Sequence, residues 1–341
     1  MALRDQHVTL AHGGGGKAMR DLIGEVFTSV FEPESSEDQA RLMSDAVREP
    51  GARLAFTTDS FVVDPVEFPG GDIGKIAVCG TVNDLAVGGA TPLWLSAAFI
   101  IEEGTEIALL RRIVASMKAE ADKTGVRIVT GDTKVVGRGS ADKVFITTSG
   151  IGVIPAGSDL CAAHVRPGDV AIVNHVLGDH GAAILAARGE MALSADIPSD
   201  CAGLGHLMAA VAQACPSLRC ARDATRGGLA SALNEIADEA GVAVEIAEET
   251  LPIRAEVKGM CEILGLDPLY LANEGTLVLF VAPEDVDAAL AAMRSVPEGQ
   301  GAVVIGRAHD AGVGPRVTMR TLFGGARIVD MLVGEQLPRI C

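Results

Sequence analysis

Apolar and polar residues alternate over residues 52–58, the period of a strand with one covered face, and this pattern predicts a strand that delivers Asp59 and Ser60 at its end. Upstream, residues 18–31 read as a helix, and residues 32–49 as a polar, acidic loop with a short helix. Gly70-Gly71-Asp72 opens a helix of small residues over 73–87 that carries Asn83 and Asp84. A second strand is predicted over 93–101. An amphipathic helix over 106–124 follows, with Gly125 in the C-capping role. A third strand over 126–130 delivers Gly131-Asp132-Thr133-Lys134, and a fourth spans 143–153.

A second half begins near Pro155. It reads as strands over 170–174, 242–246, 276–281 and 302–307, with helices over 181–187, 204–214, 253–264 and 284–294. Another helix is opened by Asp223 and runs to about residue 240, and residues 196–201 read as a loop. Past Asp310 the chain turns glycine-rich, with short strands near Val317 and Ile328 before the tail. Strands and helices mix without regular βαβ spacing, which favours an α+β protein of two domains, residues 1–154 and 155–310, followed by strands and a mobile tail over 311–341.

Composition narrows the function classes. A chain of 341 residues suits roughly two domains, and with few aromatics its cores must be built from Ala, Val, Leu and Ile. The net charge of 28 − 45 = −17 argues against a nucleic-acid or anionic-membrane binder. Small phosphate ligands remain compatible, because backbone N–H groups and Mg²⁺ hold them locally. No run approaches the ~18 apolar residues of a membrane span, and no apolar signal core opens the chain, so a cytoplasmic protein is expected. Seven cysteines without a Cys-x-x-Cys pair read mostly as buried small hydrophobes.

Four features carry candidate chemistry. Gly13, Gly14, Gly15 and Gly16 followed by Lys17 leave N–H groups open to phosphate, although the spacing is not that of a P-loop and a flexible linker would look similar. Asp59 and Asp132 after strands, with Asp84 on the helix between, form a plausible Mg²⁺-nucleotide set, whereas any one of them alone reads as a turn or cap residue. Asp223-Ala224-Thr225-Arg226-Gly227-Gly228 is either a simple N-cap or an anion site. The final stretch, Leu337-Pro338-Arg339-Ile340-Cys341, places a thiol beside its own α-carboxylate. That charge raises the thiol pKa unless Arg339 or a partner offsets it. Pro338 predicts an extended, mobile arm; a frayed end is the plain alternative.

Thr57-Thr58-Asp59-Ser60-Phe61-Val62-Val63, Phe68-Pro69-Gly70-Gly71-Asp72, Gly80-Thr81-Val82-Asn83-Asp84, Gly131-Asp132-Thr133-Lys134, Asn273-Glu274-Gly275 and the closing Pro338-Arg339-Ile340-Cys341 together resemble the HypE family of [NiFe]-hydrogenase maturation factors. That family lies within the aminoimidazole ribonucleotide synthetase-like (PurM-like) ATP-binding superfamily. The resemblance runs from His12 to Cys341. It implies a two-domain PurM-like fold and an ATP-dependent carbamoyl dehydratase that converts an S-carboxamide on Cys341 to a thiocyanate, the source of cyanide ligands for the hydrogenase iron.

By the same resemblance, a carbamoyltransferase, HypF, loads the thiol, and a HypC–HypD complex receives the cyano group. Cys341, Lys134 and Glu274 are the implied catalytic residues. Gly13 to Gly16, Lys17, Asp59, Asn83, Asp84 and Asp132 are implied to hold ATP, with Mg²⁺ on Asp59, Asp84 and Asp132. A homodimer paired through its N-terminal sheets is implied as well. Gly312, Gly314, Gly324, Gly325 and Gly334 suit a swinging approach to the terminal thiol. Two other readings compete: a superfamily enzyme acting on a diffusible substrate, such as a selenophosphate synthetase or thiamine-phosphate kinase, and a non-catalytic thiol carrier. A selenophosphate synthetase would want a reactive cysteine in the N-terminal loop, and Gly13 to Gly16 contains none.

Overall fold

The computed structural model describes residues 5–34, 39–189, 197–312, 314–332, 334, 337 and 339–341. Its first half is a four-stranded sheet of β1 (Arg53–Phe61), β2 (Thr91–Glu102), β3 (Arg127–Val136) and β4 (Val144–Ile154), in the order β1-β4-β2-β3. β4 runs antiparallel to both β1 and β2, and β2 runs parallel to β3. The strands run longer than the alternation predicts. Asp59 therefore lies inside β1, and Asp132 and Lys134 inside β3, rather than beyond strand ends.

Helix α1 (Lys17–Leu22) continues through a wide-turn π segment, Ile23–Thr28, into a last turn, Ser29–Phe31. Helices α2 (Ile73–Val87) and α3 (Ile107–Thr124) cover one face of the sheet. The α2 start is set by Asp72, whose Oδ1 accepts from the Gly74 and Lys75 amides at 2.7 and 3.0 Å. Gly74 then lets α2 press on α3, because a Cβ there would overlap the Ile113 carbonyl. Gly125 ends α3 in the left-handed conformation (φ 78°), as its position predicts. Among the described residues nothing covers the opposite face of the sheet at Leu54, Phe56 and Ile100, which are exposed.

The second half is a seven-stranded sheet. Its strands are β5 (Val170–Val173), β6 (Cys220–Asp223), β7 (Val242–Ala247), β8 (Leu277–Val281), β9 (Val303–Asp310), β10 (Arg316–Arg320) and β11 (Ala326–Ile328). Their order is β11-β10-β7-β9-β5-β8-β6, antiparallel except for β7 with β10. The short strands near Val317 and Ile328 thus extend this sheet rather than forming a unit of their own. Helices α4 (Asp179–Arg188), α5 (Gly205–Ala214), α6 (Gly228–Ala240), α7 (Ala255–Leu264) and α8 (Val286–Arg294) complete it.

Asp223 does not cap a helix, contrary to the N-cap expectation. It ends β6, paired with Leu277, and α6 starts only at Gly228. Gly227 and Gly228, at φ 76° and 60°, make the turn between them. A Cβ on Gly228 would strike the Leu269 and Leu271 carbonyls, so the backbone here closes in a way only glycine permits.

The core of the first half, built on Phe61, Ile76, Met117 and Ile146, also takes in Cys201, Ala272 and Ile340 from beyond residue 155. Ala86 of α2 reciprocates by packing into the core beneath α5 and α8. The two halves therefore meet along α2, and the C-terminal tail is part of that seam. Cys79, Cys201, Cys215, Cys220 and Cys261 are buried and unpaired, as the composition predicts. Among the described residues, no helix is long and apolar enough to cross a membrane.

Candidate active site

The tail does not leave the body as an arm. Leu337 packs against the core and Ile340 is buried in it, a burial worth about 1.5–3 kcal/mol. The backbone carbonyls of the last three residues are each held. The Val62 amide donates to Cys341 at 3.2 Å, and His180 Nε2 donates to Ile340 at 2.7 Å. The Asp64 amide and Arg188 Nη2 donate to Arg339 at 3.2 and 2.8 Å. The Arg339 guanidinium turns away from the thiol to Asp142 (2.9 Å) and Asp64 (3.7 Å), so it does not offset charge at the sulfur as the sequence suggests. The expectation attached to Pro338 lies outside the described residues.

Docked this way, Cys341 faces Glu274 and lines a cavity of about 240 Å³ with Val62, Arg226 and Tyr270. Glu274 is buried at the entry to β8, and its backbone is clamped from a neighbouring loop. Asp200 accepts from the Glu274 and Gly275 amides at 3.0 Å each, and from Thr276 Oγ1 at 2.9 Å. Gly275 makes the clamp possible, because a Cβ there would overlap the Asp200 carbonyl. Burial first, then the charges of Asp200, Asp223 and Asp59, pushes the Glu274 carboxyl well above the usual carboxylate range. Burial, and then Glu274 itself, pushes the Cys341 thiol up as well. At rest a buried acid thus faces a half-buried thiol. Arg226 is the cation that opposes both shifts.

Next to them lies a carboxylate group. Asp59 and Asp84 come together beneath β1, where Thr57 Oγ1 donates to Asp84 Oδ2 at 2.8 Å and Arg226 Nη2 reaches Asp59 at 3.4 Å. Asp223 joins them from β6. A cleft of about 570 Å³ opens from here, lined by Thr57, Asp84, Asp223, Arg226 and Glu235. Burial, with the charges of Asp223 and Asp59 beside it, raises the Asp84 pKa to about 6.

The sign of that shift has two consequences. The folded chain keeps a proton the unfolded chain has released, so this group's contribution to stability falls as pH rises from about 4 to about 6. Cation binding needs the carboxylate and runs the other way. Affinity for a Mg²⁺-nucleotide is expected to fall about tenfold per pH unit below about 6. In Asp84→Asn it should be weaker throughout and should lose that step, as titration calorimetry across pH 5–8 would read. An Asp84→Asn profile with the same step would assign the proton elsewhere.

Asp132 and Lys134 are not part of this group. Asp132 is in register with Ala98, Ala98 with Thr147, and Thr147 with Ser60, so three strand spacings of about 4.8 Å, roughly 14 Å of sheet, separate it from Asp59. It also projects from the open face, whereas Asp59 faces α2. Its carboxylate pairs with Lys134 Nζ at 3.0 Å, which holds its pKa below the usual range. Lys134 is 66% exposed, so the desolvation that a base role would need is absent within this chain. The glycine loop belongs to the same place. Gly13 sits directly on Val135 of β3, close enough that a Cβ would crowd it, and Lys17 begins the helix that follows.

The expected Asp59-Asp84-Asp132 metal set is thus divided between the two edges of the sheet. Among the described residues, no three His, Cys, Asp or Glu side chains converge as a metal cluster. Asn83 corrects the expectations in another way. It is buried, its Nδ2 donates to the Ala202 and Glu274 carbonyls at 3.1 and 3.4 Å, and its Oδ1 accepts from the Leu204 amide at 2.7 Å. Its hydrogen bonds tie α2 to the Glu274 loop, and it does not line the cleft at Asp84.

Sequence reasoning missed Asp200, His180 and Ser199. No motif surrounds them, and their work is to hold backbone from loops distant in sequence. The one signal was burial chemistry: an Asp-His pair, Asp179-His180, in an otherwise small, apolar helix.

Models of the AIR synthase related protein family match residues 37–154 (N-terminal domain) and 166–317 (C-terminal domain). The chain is 75% identical to the carbamoyl dehydratase HypE of Rhodobacter capsulatus over 341 residues, all of both chains. A crystal structure of hydrogenase maturation protein HypE in complex with ATP superposes with a TM-score of 0.92 at 44% identity, covering 97% of this chain and 99% of that one. A crystal structure of a HypE–HypF complex matches with a TM-score of 0.79 at 45% identity, covering 91% and 99%. Identity at this level across the whole length, with the docked terminal thiol at its centre, means that the chain belongs to the HypE family of carbamoyl dehydratases, hydrogenase maturation proteins of AIR synthase-related fold.

Proposed function

We propose that the protein dehydrates an S-carboxamide carried on its own Cys341, using ATP, with Glu274 as the base. The observation that carries this reading is the half-buried terminal thiol facing a buried carboxyl, in a cavity that shares Arg226 with an acidic cleft. The carboxamide oxygen attacks the γ-phosphorus of ATP, forming an O–P bond as ADP leaves. The amide nitrogen then gives up its two protons, its electrons form the C≡N triple bond, and the C–O bond breaks with phosphate as the leaving group. Phosphorylation matters because an amide oxygen is otherwise a very poor leaving group. Burial keeps water from hydrolysing the activated carbon. A carboxylate with a raised pKa is a stronger base once ionised, and Arg226 favours that ionised form. The decisive test is whether ATP removes one water from the loaded C-terminal peptide.

ATP is the co-substrate in this reading, which the HypE relative crystallised in complex with ATP supports, and the cleft at Asp84 and Arg226 would hold it. Mg²⁺ fits here. It needs only one or two carboxylates besides phosphate and water, and the crowding that raises the Asp84 pKa is relieved by a cation. Asp59 and Asp84 would hold it, and it would neutralise charge on the phosphates. The unpaired cysteines and the use of ATP favour the cytoplasm. HypF, seen in complex with a HypE relative, would load the thiol, and a HypC–HypD complex would take the cyano group.

A homodimer would complete the site. One edge of the first sheet carries Asp59, Asp84 and the thiol; the other carries the glycine loop, Asp132 and Lys134. Leu54, Phe56 and Ile100 leave the face between them apolar and uncovered. A second copy laid on that face would bring its own Gly13 to Gly16, Lys17, Asp132 and Lys134 to the Asp59 edge. Lys134 would then contact phosphate from across the interface. Mixing inactive Asp132→Asn chains with inactive Glu274→Gln chains is then expected to restore turnover, because one of the two sites in each mixed dimer is intact. Mixtures as inactive as their components would mean that the site lies within one chain.

A further inference from the structure

The contacts that hold the tail inward are of unequal worth. The Arg339 ion pairs with Asp142 and Asp64 are exposed, and exposed pairs exchange readily for water at little cost. His180 is different. Its ring is fully buried and stands edge-on to Phe68, with centroids 5.4 Å apart. The Ile340 carbonyl can only accept, so Nε2 carries the hydrogen donated to it at 2.7 Å. Nδ1 is then the acceptor for Ser199 Oγ at 2.9 Å. Ser199 is itself anchored: its amide donates to the Pro69 carbonyl at 2.8 Å, and its Oγ accepts from the Cys201 amide at 3.1 Å.

We propose that His180, with its ring fixed by Ser199, is the positioning residue that governs how often the tail leaves the site. Its nitrogens face a carbonyl and a hydroxyl rather than the sulfur, so it acts through the tail and not on the reacting atoms. Releasing the tail strips the one fully buried side-chain donor of its acceptor, which is the expensive step among these polar contacts. Helix α4 presents both His180 and Arg188 to the tail, so a single rigid element reads its position. Ser199 also precedes Asp200, whose carboxylate clamps Glu274, so tail docking and base placement share one loop.

The inference deepens the dehydratase reading, on which it rests for its purpose, but the latch is testable without turnover. Full-length protein without ATP is treated with iodoacetamide, and alkylation of Cys341 is followed by mass spectrometry of the C-terminal peptide. Half-buried Cys161 serves as the internal reference for an intact fold. His180→Phe, which keeps the ring and loses the donor, is expected to label Cys341 about tenfold faster than wild type, the worth of one buried hydrogen bond. Ser199→Ala should show a smaller acceleration. His180→Gln, whose amide can donate from the Nε2 position, should return most of the protection.

Unchanged labelling of Cys341 in His180→Phe, or Cys161 accelerating in parallel with it, overturns the proposal. In the same variants, loading of the thiol by the transferase should quicken while dehydration of the loaded thiol slows, a split that general loosening of the fold would not produce. If the labelling shift appears and no variant, wild type included, dehydrates a carbamoylated Cys341, the latch stands and the dehydratase reading fails.

Discussion

Glu274→Gln is expected to slow dehydration of the loaded thiol by about 10²–10⁴-fold, the usual worth of a positioned general base. Glutamine fills the same buried space and leaves the backbone clamp of Asp200 untouched, since that clamp holds amides and not the side chain. Loading of Cys341 by the transferase should therefore proceed as in wild type, because it takes place on a released tail. The pH dependence supplies a second reading. The Glu274 pKa is raised in the fold, so the carboxyl is a poor base at low pH and gains activity as pH rises through that raised value. A rising limb should be present in wild type and absent in Glu274→Gln. Single-turnover assays on pre-loaded protein across pH 6–9 would measure both. A glutamine variant that keeps the wild-type rate would pass the base role to another group, with Lys134 of a second copy the next to examine.

Cys341→Ala has the larger effect, because it removes the substrate rather than a catalyst. Neither carbamoylation at the C-terminus nor ATP consumption driven by it should be detectable, while nucleotide binding at Asp84 remains, since no part of the cleft near Asp84 depends on the sulfur. Stability should fall little, because Ile340 and the three held carbonyls remain. Survival of full ATP turnover on a small diffusible substrate in this variant would return the protein to the wider superfamily of kinases and synthetases. Survival of loading would mean that the partner modifies a different residue.

Much of the fold was readable from periodicity. Helix α2 falls on residues 73–87, where small residues between Asp72 and Gly88 gave it away, and α3 is off by one residue at its start. What periodicity could not supply was strand order. Asp59 and Asp132 look equivalent along the chain, each late in an apolar run and each beside a hydroxyl residue, and nothing local says that two strands lie between theirs. Within one chain the expected three-aspartate site is divided for that reason. Strand β6 was hidden because its four residues run straight into the Asp223 motif, which reads as a helix start until the pairing with β8 is seen.

For the tail, the glycines describe what the segment is free to do, and Ile340 with the carbonyls it flanks decides where it docks at rest. Asn83 shows the same limit at the scale of one side chain. Its place beside Asp84 in a motif suggests ligand contact, yet burial and three hydrogen bonds commit it to joining the two halves of the protein.

In the proposed reaction the protein performs chemistry on its own last residue. Carbamoylated full-length protein, incubated with ATP and Mg²⁺ and then digested, should show the peptide ending in Cys341 lighter by one water, with one ATP consumed for each peptide converted. A loaded peptide of unchanged mass after ATP has been consumed, or with ATP untouched, would contradict the claim and leave the terminal thiol as a carrier only.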